Sequence, residues 1–308
     1  MGRRREIPTD LPDVFLGRQV VDAGVLRARD LRGPAVRRLF RGVYAPRWVP
    51  VTHELLCQGA GLLCPAEAAI TGRSGLAALG VDLTRPGDPV EVVVPEWARF
   101  GPVRGITVRL ATYAVAGQPW HSTHIAFPER LALDVAARRA LPDAVAGLDA
   151  GLAAGIFDRD TVQAWLQACH DHDVVAAREA LALADPRAES PPESIVRVVL
   201  VLAGIRAEPQ YVVRRGGRVV ARVDLAVPER RLVIEYNGFW HRKGRQPRKD
   251  RERHDALRKA GWAVTVIDAD LLGDHSGIVA AVRADLDARP TFPVEPAITS
   301  LLAVQQGE

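Results

Sequence analysis

Two carboxylates lie in a predicted β-hairpin in the last third of the chain. Residues 218–226 alternate loosely in hydropathy and contain Asp224 near their end. Residues 232–236 form a short apolar run, typical of a buried strand, whose one interior charge is Glu235. Pro228 opens the turn between them, because proline presets a turn dihedral. A carboxylate in such a run is costly to bury unless it is paired or binds a metal ion.

The hairpin predicts a metal site because its two strands are adjacent. We expect the side chains of Asp224 and Glu235 to converge at the edge of the sheet, close to backbone carbonyls. Such a set of hard oxygen ligands suits Mg²⁺ or Mn²⁺. The alternative interpretation is structural, with the two carboxylates forming a buried pair held by Arg222 or Arg231.

The elements around this hairpin predict a mixed sheet with flanking helices. A helix begins at Pro191, and Glu193 in its first turn suits the helix dipole, which is also a structural explanation for that residue. A glycine pair after the first strand is typical of a hairpin turn. After the helix the predicted order is β-β-β-α-β, with elements at residues 210–214, 219–225, 232–236, 248–259 and 262–267.

Positive charge is concentrated in two stretches. Residues 241–259 contain nine Arg and Lys against three acidic residues, and residues 27–47 contain seven Arg against one, so each stretch carries +6. Because the whole chain carries +4, the remainder carries −8. Such segregation predicts two surfaces that bind a polyanion, nucleic acid first, although two solvated helices are the structural alternative. The candidate nucleic-acid-binding residues are Arg37, Arg38, Arg41, Arg242, Lys243, Arg248, Lys249 and Arg251.

The first basic stretch is predicted to belong to a winged helix-turn-helix. Short helices are predicted over 15–23 and 26–31, followed by a basic helix over 35–41 and a strand at 43–45. Two helices, a turn, a basic helix and a strand are the outline of a winged helix, whose basic helix would face DNA. A helical packing domain that does not touch DNA is the alternative.

Shifts in composition divide the chain into five parts. The proline-rich stretch 185–192 is the clearest boundary. Strands at 90–95 and 106–110 indicate a small α/β region, and Ala- and Leu-rich helices fill 128–183. We therefore predict a multidomain α/β protein with a winged helix-turn-helix at 1–50, a small α/β region at 51–127, a helical connector at 128–188, the α-β-β-β-α-β domain at 189–290 and a tail at 291–308.

Composition excludes several classes of protein. Apolar residues make up 48% of the chain and charged residues 25%, as in globular proteins. The three cysteines show no CxxC spacing, which argues against a cysteine-based zinc site and for a reducing compartment. No signal peptide and no membrane-spanning apolar run is visible, so we predict a cytoplasmic protein that does not contact a membrane. The sequence leaves a homodimer open.

Several motifs of the carboxyl-terminal domain occur in the order seen in the DUF559 family. That family is similar to the very-short-patch repair endonucleases and belongs to the PD-(D/E)xK nuclease superfamily. The resemblance spans about residues 190–288, near a third of the chain. Its motifs are Glu193-Ser194, Arg222-Val223-Asp224-Leu225, Ile234-Glu235-Tyr236-Asn237-Gly238, Trp240-His241, Asp250-Arg251 and Gly261-Trp262.

This resemblance implies a restriction-endonuclease-like fold and metal-dependent hydrolysis of phosphodiester bonds, with Mg²⁺ or Mn²⁺ as the cofactor. Asp224 would be the principal metal ligand and Glu235 the second acidic position, with the backbone carbonyl of Tyr236 as a further ligand. Glu193 matches the acidic residue of the family's first helix. His241 matches the histidine that assists catalysis in the repair nucleases, and it would act as general acid or base.

Asn237 departs from the family's pattern. The superfamily has a lysine two residues after the second acid, and many DUF559 relatives have an aspartate there. Asparagine removes one negative charge from the site, which would weaken metal binding or mark a nuclease that has lost its activity. Lys243 and Lys249 are the lysines nearest in sequence.

The amino-terminal stretch resembles the amino-terminal domain of AbiEi-type antitoxins, over about 80 residues. The motif Gly42-Val43-Tyr44 closes this stretch, and residues 74–80, Ser-Gly-Leu-Ala-Ala-Leu-Gly, look like the family's next segment. The resemblance implies a winged helix that binds DNA.

Two functions follow from these expectations. One is a DNA endonuclease targeted by its winged helix, and the other is a non-catalytic, antitoxin-like DNA-binding regulator with a degenerate nuclease domain. An RNA-directed nuclease would use the same residues.

Overall fold

The computed structural model describes residues 7–238 and 246–293, the first five of the second range by their backbone alone. The chain divides into two compact units, Met1–Pro186 and Arg187–Glu308. Each unit contains both helices and a sheet, so the predicted multidomain α/β class is confirmed. The first unit ends at Pro186, two residues before the predicted end of the helical connector at residue 188. The finer division of the first unit stays a prediction. Across the described residues, no helix is long and apolar enough to cross a membrane.

The first unit begins with a small antiparallel sheet. Its elements are β1 (Phe15–Leu16), α1 (Gly17–Asp22), β2 (Val36–Phe40) and β3 (Val43–Pro46). The strands pair in the order β1-β3-β2. Phe15, Leu26 and Val36 form a buried cluster against this sheet.

The predicted basic helix over 35–41 is wrong, because these residues form strand β2. β2 pairs antiparallel with β3, and Gly42 turns the chain between them with a φ of 84°. A helix this short is marginal on its own, whereas the hairpin buries Val36 and Phe40 in the core. The three arginines assigned to that helix therefore lie on a β-hairpin.

The predicted helix over 26–31 is also wrong. The structure has a single 3-10 turn there, Asp30–Arg32. The helix predicted over 15–23 is shorter than expected, because β1 takes its first two residues. Among residues 7–50, the described helical elements are α1 and this turn, so the three-helix outline predicted for a winged helix is not what the chain forms.

A five-stranded sheet with two helices follows. Its elements are α2 (His53–Gly61), β4 (Ala69–Ile70), α3 (Gly72–Ala78), β5 (Val90–Pro95), β6 (Ile106–Ala111), β7 (Ala116–Trp120) and β8 (Thr123–Ala126). The strands lie in the order β6-β5-β4-β8-β7, with β5 parallel to β6 and β4 parallel to β8. Every residue of β5 is buried, as its β-branched run predicts, and both strands predicted in this region are confirmed.

Four helices complete the first unit. They are α4 (Pro128–Ala136), α5 (Leu141–Ala153), α6 (Arg159–Ala168) and α7 (Val174–Leu183), as predicted for residues 128–183. The Asp158 carboxylate caps α6 by accepting a hydrogen bond from the N–H of Thr161 at 2.8 Å.

The second unit has a four-stranded sheet. Its elements are α8 (Pro191–Leu202), β9 (Glu208–Arg215), β10 (Arg218–Val227), β11 (Leu232–Asn237), α9 (Gln246–Lys259), β12 (Ala263–Asp268) and α10 (His275–Asp287). The first six follow the predicted order α-β-β-β-α-β, and α10 is an addition to it. The strands lie in the order β12-β11-β10-β9, antiparallel from β9 to β11 and parallel between β11 and β12.

Helices cover both faces of this sheet. On one face, Leu200 of α8 and Ile278 of α10 pack with Ile234. On the other face, Leu257 of α9 packs with Val233. Because apolar side chains cover both faces of β11, a buried charged side chain on this strand needs a hydrogen-bond or ion-pair partner.

Candidate active site

Asp224 and Glu235 lie where the pairing of β10 with β11 stops. The last paired residues are Leu225 and Ile234, so the two acidic residues are the next ones on their strands. The carboxylate Oδ2 of Asp224 accepts a hydrogen bond from the backbone N–H of Tyr236 at 3.0 Å, in the place of a strand carbonyl. The hairpin therefore brings both predicted carboxylates to the same end of the ladder.

The surroundings of Asp224 disfavour its charged form. Burial raises the pKa of this carboxyl from its ordinary 3.8 to about 6. The N–H of Tyr236 and the Arg253 guanidinium lower this pKa, whereas the carboxylates of Glu193 and Glu235 raise it. Two neighbouring negative charges at a partly buried carboxyl make a site that a bound cation would stabilise.

Glu235 is only 4% exposed, and its two carboxylate oxygens differ. Oε2 accepts a hydrogen bond from Nη2 of Arg253 at 2.7 Å, and Nε2 of His254 lies 2.8 Å from the same oxygen. Oε1 is buried and has no hydrogen-bond partner among the described residues. A buried acceptor without a partner is costly, so it calls for an explanation such as a bound ion or a catalytic role.

Glu193 is buried at the start of α8, and both of its carboxylate oxygens are occupied. Oε1 accepts a hydrogen bond from Oγ of Ser190 at 2.7 Å. Oε2 accepts one from the backbone N–H of Glu189 at 3.0 Å and one from Nε2 of Gln210 at 2.9 Å. The structural interpretation of Glu193 as a residue of the helix start therefore holds, and its charge also acts on Asp224.

Gln210, Arg253 and His254 belong to this site, and the sequence analysis missed them. Gln210 has a φ of 54°, which no sequence signal marks. The spacing of Arg253 and His254 did carry a sequence signal. They lie four and three residues before Leu257, the buried residue of α9. That spacing puts all three on the helix face that meets the sheet.

The cation on Glu235 is not one of the two arginines that the sequence suggested. Arg222 forms an ion pair with Glu189. The Arg231 guanidinium lies over the ring of Phe292, 4.3 Å from its centroid. Arg253 contacts Glu235 instead, from α9.

Asp224 and Glu235 are the two carboxylates that could hold a divalent cation at this site. No group of three or more His, Cys, Asp and Glu side chains within residues 7–238 and 251–293 is arranged to hold a metal ion. Mg²⁺ commonly takes only one or two protein carboxylates and fills its other positions with water and substrate phosphate. Oε1 of Glu235, which has no partner among the described residues, and the carboxylate of Asp224 would be such a pair.

Other predicted site residues fall at the margin of the described chain. His241, Arg242 and Lys243 lie outside the described residues, and so do the side chains of Arg248 and Lys249. Arg251 is exposed on α9. Asn237 is exposed at the end of β11.

The three arginines of the β2–β3 hairpin differ in exposure. Arg37 is half-buried and donates a hydrogen bond from Nη2 to the carbonyl of Arg47 at 2.6 Å, so it ties the hairpin together. Arg38 and Arg41 are exposed. Of the three arginines, Arg38 and Arg41 are therefore the candidates for contact with a polyanion.

A cavity of about 820 Å³ lies in the first unit, beside α4 and α6. Its buried charged residues are paired inside the protein: Arg130 contacts both Asp134 and Asp171, and Tyr113 donates a hydrogen bond to Asp171 at 2.9 Å. His170 and His172 also line this cavity, and the described part of the chain shows no group of three or more metal-binding side chains there.

No family model matches the chain. A stretch of 157 residues is 35% identical to two proteins of Mycobacterium tuberculosis, the uncharacterized protein MT2308 of strain CDC 1551 / Oshkosh and the uncharacterized protein Rv2248 of strain ATCC 25618 / H37Rv. This match covers 50% of the chain and 58% of each relative, so the chain spans little more than half the length of the curated relatives it matches. The crystal structure of the RV2827C protein from Mycobacterium tuberculosis is similar over 68% of this chain and 86% of that one, at 18% identity and a TM-score of 0.39.

Proposed function

We propose that the chain is a metal-dependent DNA endonuclease that hydrolyses phosphodiester bonds. Its second unit would be a restriction-endonuclease-like domain, in keeping with the resemblance to the DUF559 family and the very-short-patch repair endonucleases. The observation that supports this most is the carboxylate pair at the end of the β10–β11 ladder. Glu235 keeps one buried oxygen without a partner among the described residues, and Asp224 beside it has a pKa raised to about 6.

Asp224 and Glu235 would hold the divalent ion. When bound, Mg²⁺ or Mn²⁺ polarises a phosphoryl oxygen and lowers the pKa of a water molecule. The N–H of Tyr236 fixes the Asp224 carboxylate at the end of β11. Arg253 and His254 hold Oε2 of Glu235, which leaves Oε1 for the ion.

Two further residues support the site from other elements. Glu193 adds negative charge beside Asp224, and Gln210 holds the Glu193 carboxylate in place. His241 would transfer protons as general acid or base, a role that the resemblance to the repair nucleases implies.

DNA would be bound mainly through its phosphates. Arg38 and Arg41 on the β2–β3 hairpin are exposed and are suited to phosphate contacts. Arg251, which is exposed on α9, would belong to a second contact together with the other candidate residues of the basic stretch, Arg242, Lys243, Arg248 and Lys249. RNA offers the same phosphates, so the test below includes it as a substrate.

A second candidate function is a DNA-binding regulator without catalysis. Asn237 favours it, because an uncharged residue stands exposed at the end of β11 where many DUF559 relatives carry an aspartate. In that case the carboxylate pair would be a remnant of a site, and binding would persist without cleavage.

The test is cleavage of supercoiled plasmid, single-stranded DNA and single-stranded RNA by the full chain, with Mg²⁺ or Mn²⁺ and with EDTA. Asp224→Ala is the loss variant. Asp287→Ala is its matched control, because it removes the same charge from an exposed position at the end of α10. We expect ion-dependent cutting of DNA by the wild type and by Asp287→Ala, and a loss of at least about a thousandfold in Asp224→Ala.

Each outcome separates the candidates. Equal cutting by all three proteins would assign the activity to another site or to a contaminant. If none of them cuts and all bind DNA in a salt-sensitive way, the regulator becomes the better proposal. Preferred cutting of RNA would change the substrate but keep the site.

A further inference from the structure

Arg253 connects two strands just beyond their last backbone pair. Its Nη2 donates to Oε2 of Glu235 on β11 at 2.7 Å, and its Nη1 donates to the carbonyl of Arg222 on β10 at 3.2 Å. A guanidinium group has a rigid planar fork, so two such contacts fix its position and that of the carboxylate it holds.

Both contacts that hold the Glu235 carboxylate fall on one oxygen. Arg253 and His254 lie at 2.7 and 2.8 Å from Oε2, whereas Oε1 has no hydrogen-bond partner within the described part of the chain. Two donors that only neutralised the negative charge of Glu235 could equally well bind one oxygen each. The observed arrangement instead sets the rotation of the carboxylate and leaves one oxygen free.

We infer that Arg253 is a positioning residue that presents Oε1 of Glu235 to a divalent cation, an inference that rests on the proposed function. The guanidinium contacts neither the ion nor the substrate in this assignment. It acts through Glu235 by holding that carboxylate in a fixed orientation, as partners of metal ligands commonly do.

Two possible roles of Arg253 predict opposite changes in metal affinity when its guanidinium is removed. If the guanidinium acted only by its charge, its removal would relieve repulsion and the divalent ion would bind more tightly. If it positions Glu235, its removal leaves the carboxylate without its fixed orientation, and the ion binds more weakly. Loss of a residue that orients a metal ligand typically lowers affinity by about 10- to 100-fold.

The experiment measures Mn²⁺ binding to the full chain, by calorimetry and by the electron paramagnetic resonance of free Mn²⁺. The variants are Arg253→Met and Arg253→Lys, with Arg258→Met as the matched control on the same helix, where Arg258 is exposed and pairs with Asp255. We expect Mn²⁺ affinity to fall about tenfold or more in Arg253→Met, to recover in part in Arg253→Lys, whose ammonium can still donate to Oε2, and to stay unchanged in the control. Circular dichroism spectra and melting temperatures check that each variant folds.

The outcomes distinguish this inference from the proposed function. Binding by the wild type together with equal or tighter binding by Arg253→Met overturns the positioning role alone. If the wild type binds no Mn²⁺, the proposed metal site fails and the positioning role fails with it. If Arg253→Met does not fold, the Mn²⁺ affinity of Arg253→Lys decides. An affinity equal to that of the wild type overturns the positioning role, because lysine cannot make both guanidinium contacts. A lower affinity supports it.

Discussion

The two units both bury carboxylates beside a sheet, but they neutralise them differently. In the first unit, Asp134 is 1% exposed and accepts hydrogen bonds on both oxygens, two from Arg130 and one from Thr71, at 2.7 to 2.9 Å. Glu91 is equally saturated, with Arg109 and Arg139 on its oxygens. Each of these two buried negative charges faces at least one guanidinium group.

In the second unit, two carboxylates are less compensated, those of Asp224 and Glu235. Asp224 accepts one backbone hydrogen bond and has Glu193 and Glu235 as neighbours, which add to the rise in its pKa that burial causes. Oε1 of Glu235 has no partner among the described residues. Removing one partner of a fully paired buried carboxylate destabilises a fold, whereas clustered and partly unpaired carboxylates favour a bound cation, so the comparison makes the second unit the candidate for chemistry.

The largest effect is expected where a paired carboxylate is broken. Asp134→Asn should lower the free energy of unfolding of the first unit by about 3 to 5 kcal/mol, because it leaves the buried guanidinium of Arg130 with a weaker partner. Hydrogen exchange of peptides from α4 and β5, measured across a urea series, reports this change. A loss of less than about 1 kcal/mol would mean that the network contributes little and would weaken the comparison.

The same type of substitution in the second unit, Asp to Asn, should have the opposite effect on stability. Asp224→Asn should raise the free energy of unfolding by about 1 to 3 kcal/mol near pH 8, since it removes a charge that burial and two carboxylates disfavour. The folded pKa of about 6 lies above the ordinary 3.8, so the stability contributed by the protonated carboxyl is complete below pH 3.8 and lost as pH rises through about 6. The advantage of the Asp224→Asn variant over the wild type should therefore stay constant from about pH 8 to about pH 7 and then shrink as the pH falls through about 6 to about 4.

Hydrogen exchange of the β10 and β11 peptides, across urea series at those pH values, measures this difference. A destabilisation at all pH values would show that Asp224 is structural in the way that Asp134 is. A gain in stability that does not change with pH would mean that the gain has a cause other than the charge of the Asp224 carboxyl.

The smallest effect concerns the exposed charges of the first unit. Arg38→Ala and Arg41→Ala should each reduce the slope of log affinity for DNA against log salt concentration by about one, with little change in stability, because each would remove one phosphate contact. Arg18→Ala is the control, since Arg18 is 92% exposed on α1 and pairs with Asp22. Equal salt slopes for all three variants would show that the β2–β3 hairpin does not contact DNA. The basic stretch of the second unit would then be the remaining candidate.

Local patterns were enough to predict the elements that carry the carboxylates. The apolar run of β11 and the β-branched run of β5 each predicted a strand that the structure contains. The glycine pair before β10 predicted a hairpin turn, and β9 and β10 are paired on either side of it. The convergence of Asp224 and Glu235 followed from the adjacency of two strands joined by a short turn. Such signals are local in sequence, so a single chain is sufficient to read them.

The β2–β3 hairpin shows where local patterns fail. Val36, Leu39 and Phe40 have a spacing that suits one face of a short helix, but Val36 and Phe40 are also buried when the segment is a strand. The choice depends on β3 as the partner and on Gly42 at the turn, which together satisfy backbone groups that a short isolated helix leaves open.

The sequence by itself determined the composition of the candidate site: which acidic residues stand in apolar strands, which stretches are basic, and the order of the elements that bring them together. Only the tertiary structure decided how the charges are compensated. Arg253 and His254 reach Glu235 across 18 and 19 residues of chain, because α9 packs Leu257 onto the sheet. Ion pairs between distant elements depend on how helices and strands pack, and the burial that raises the pKa of Asp224 is likewise a property of the assembled fold rather than of any local run of residues.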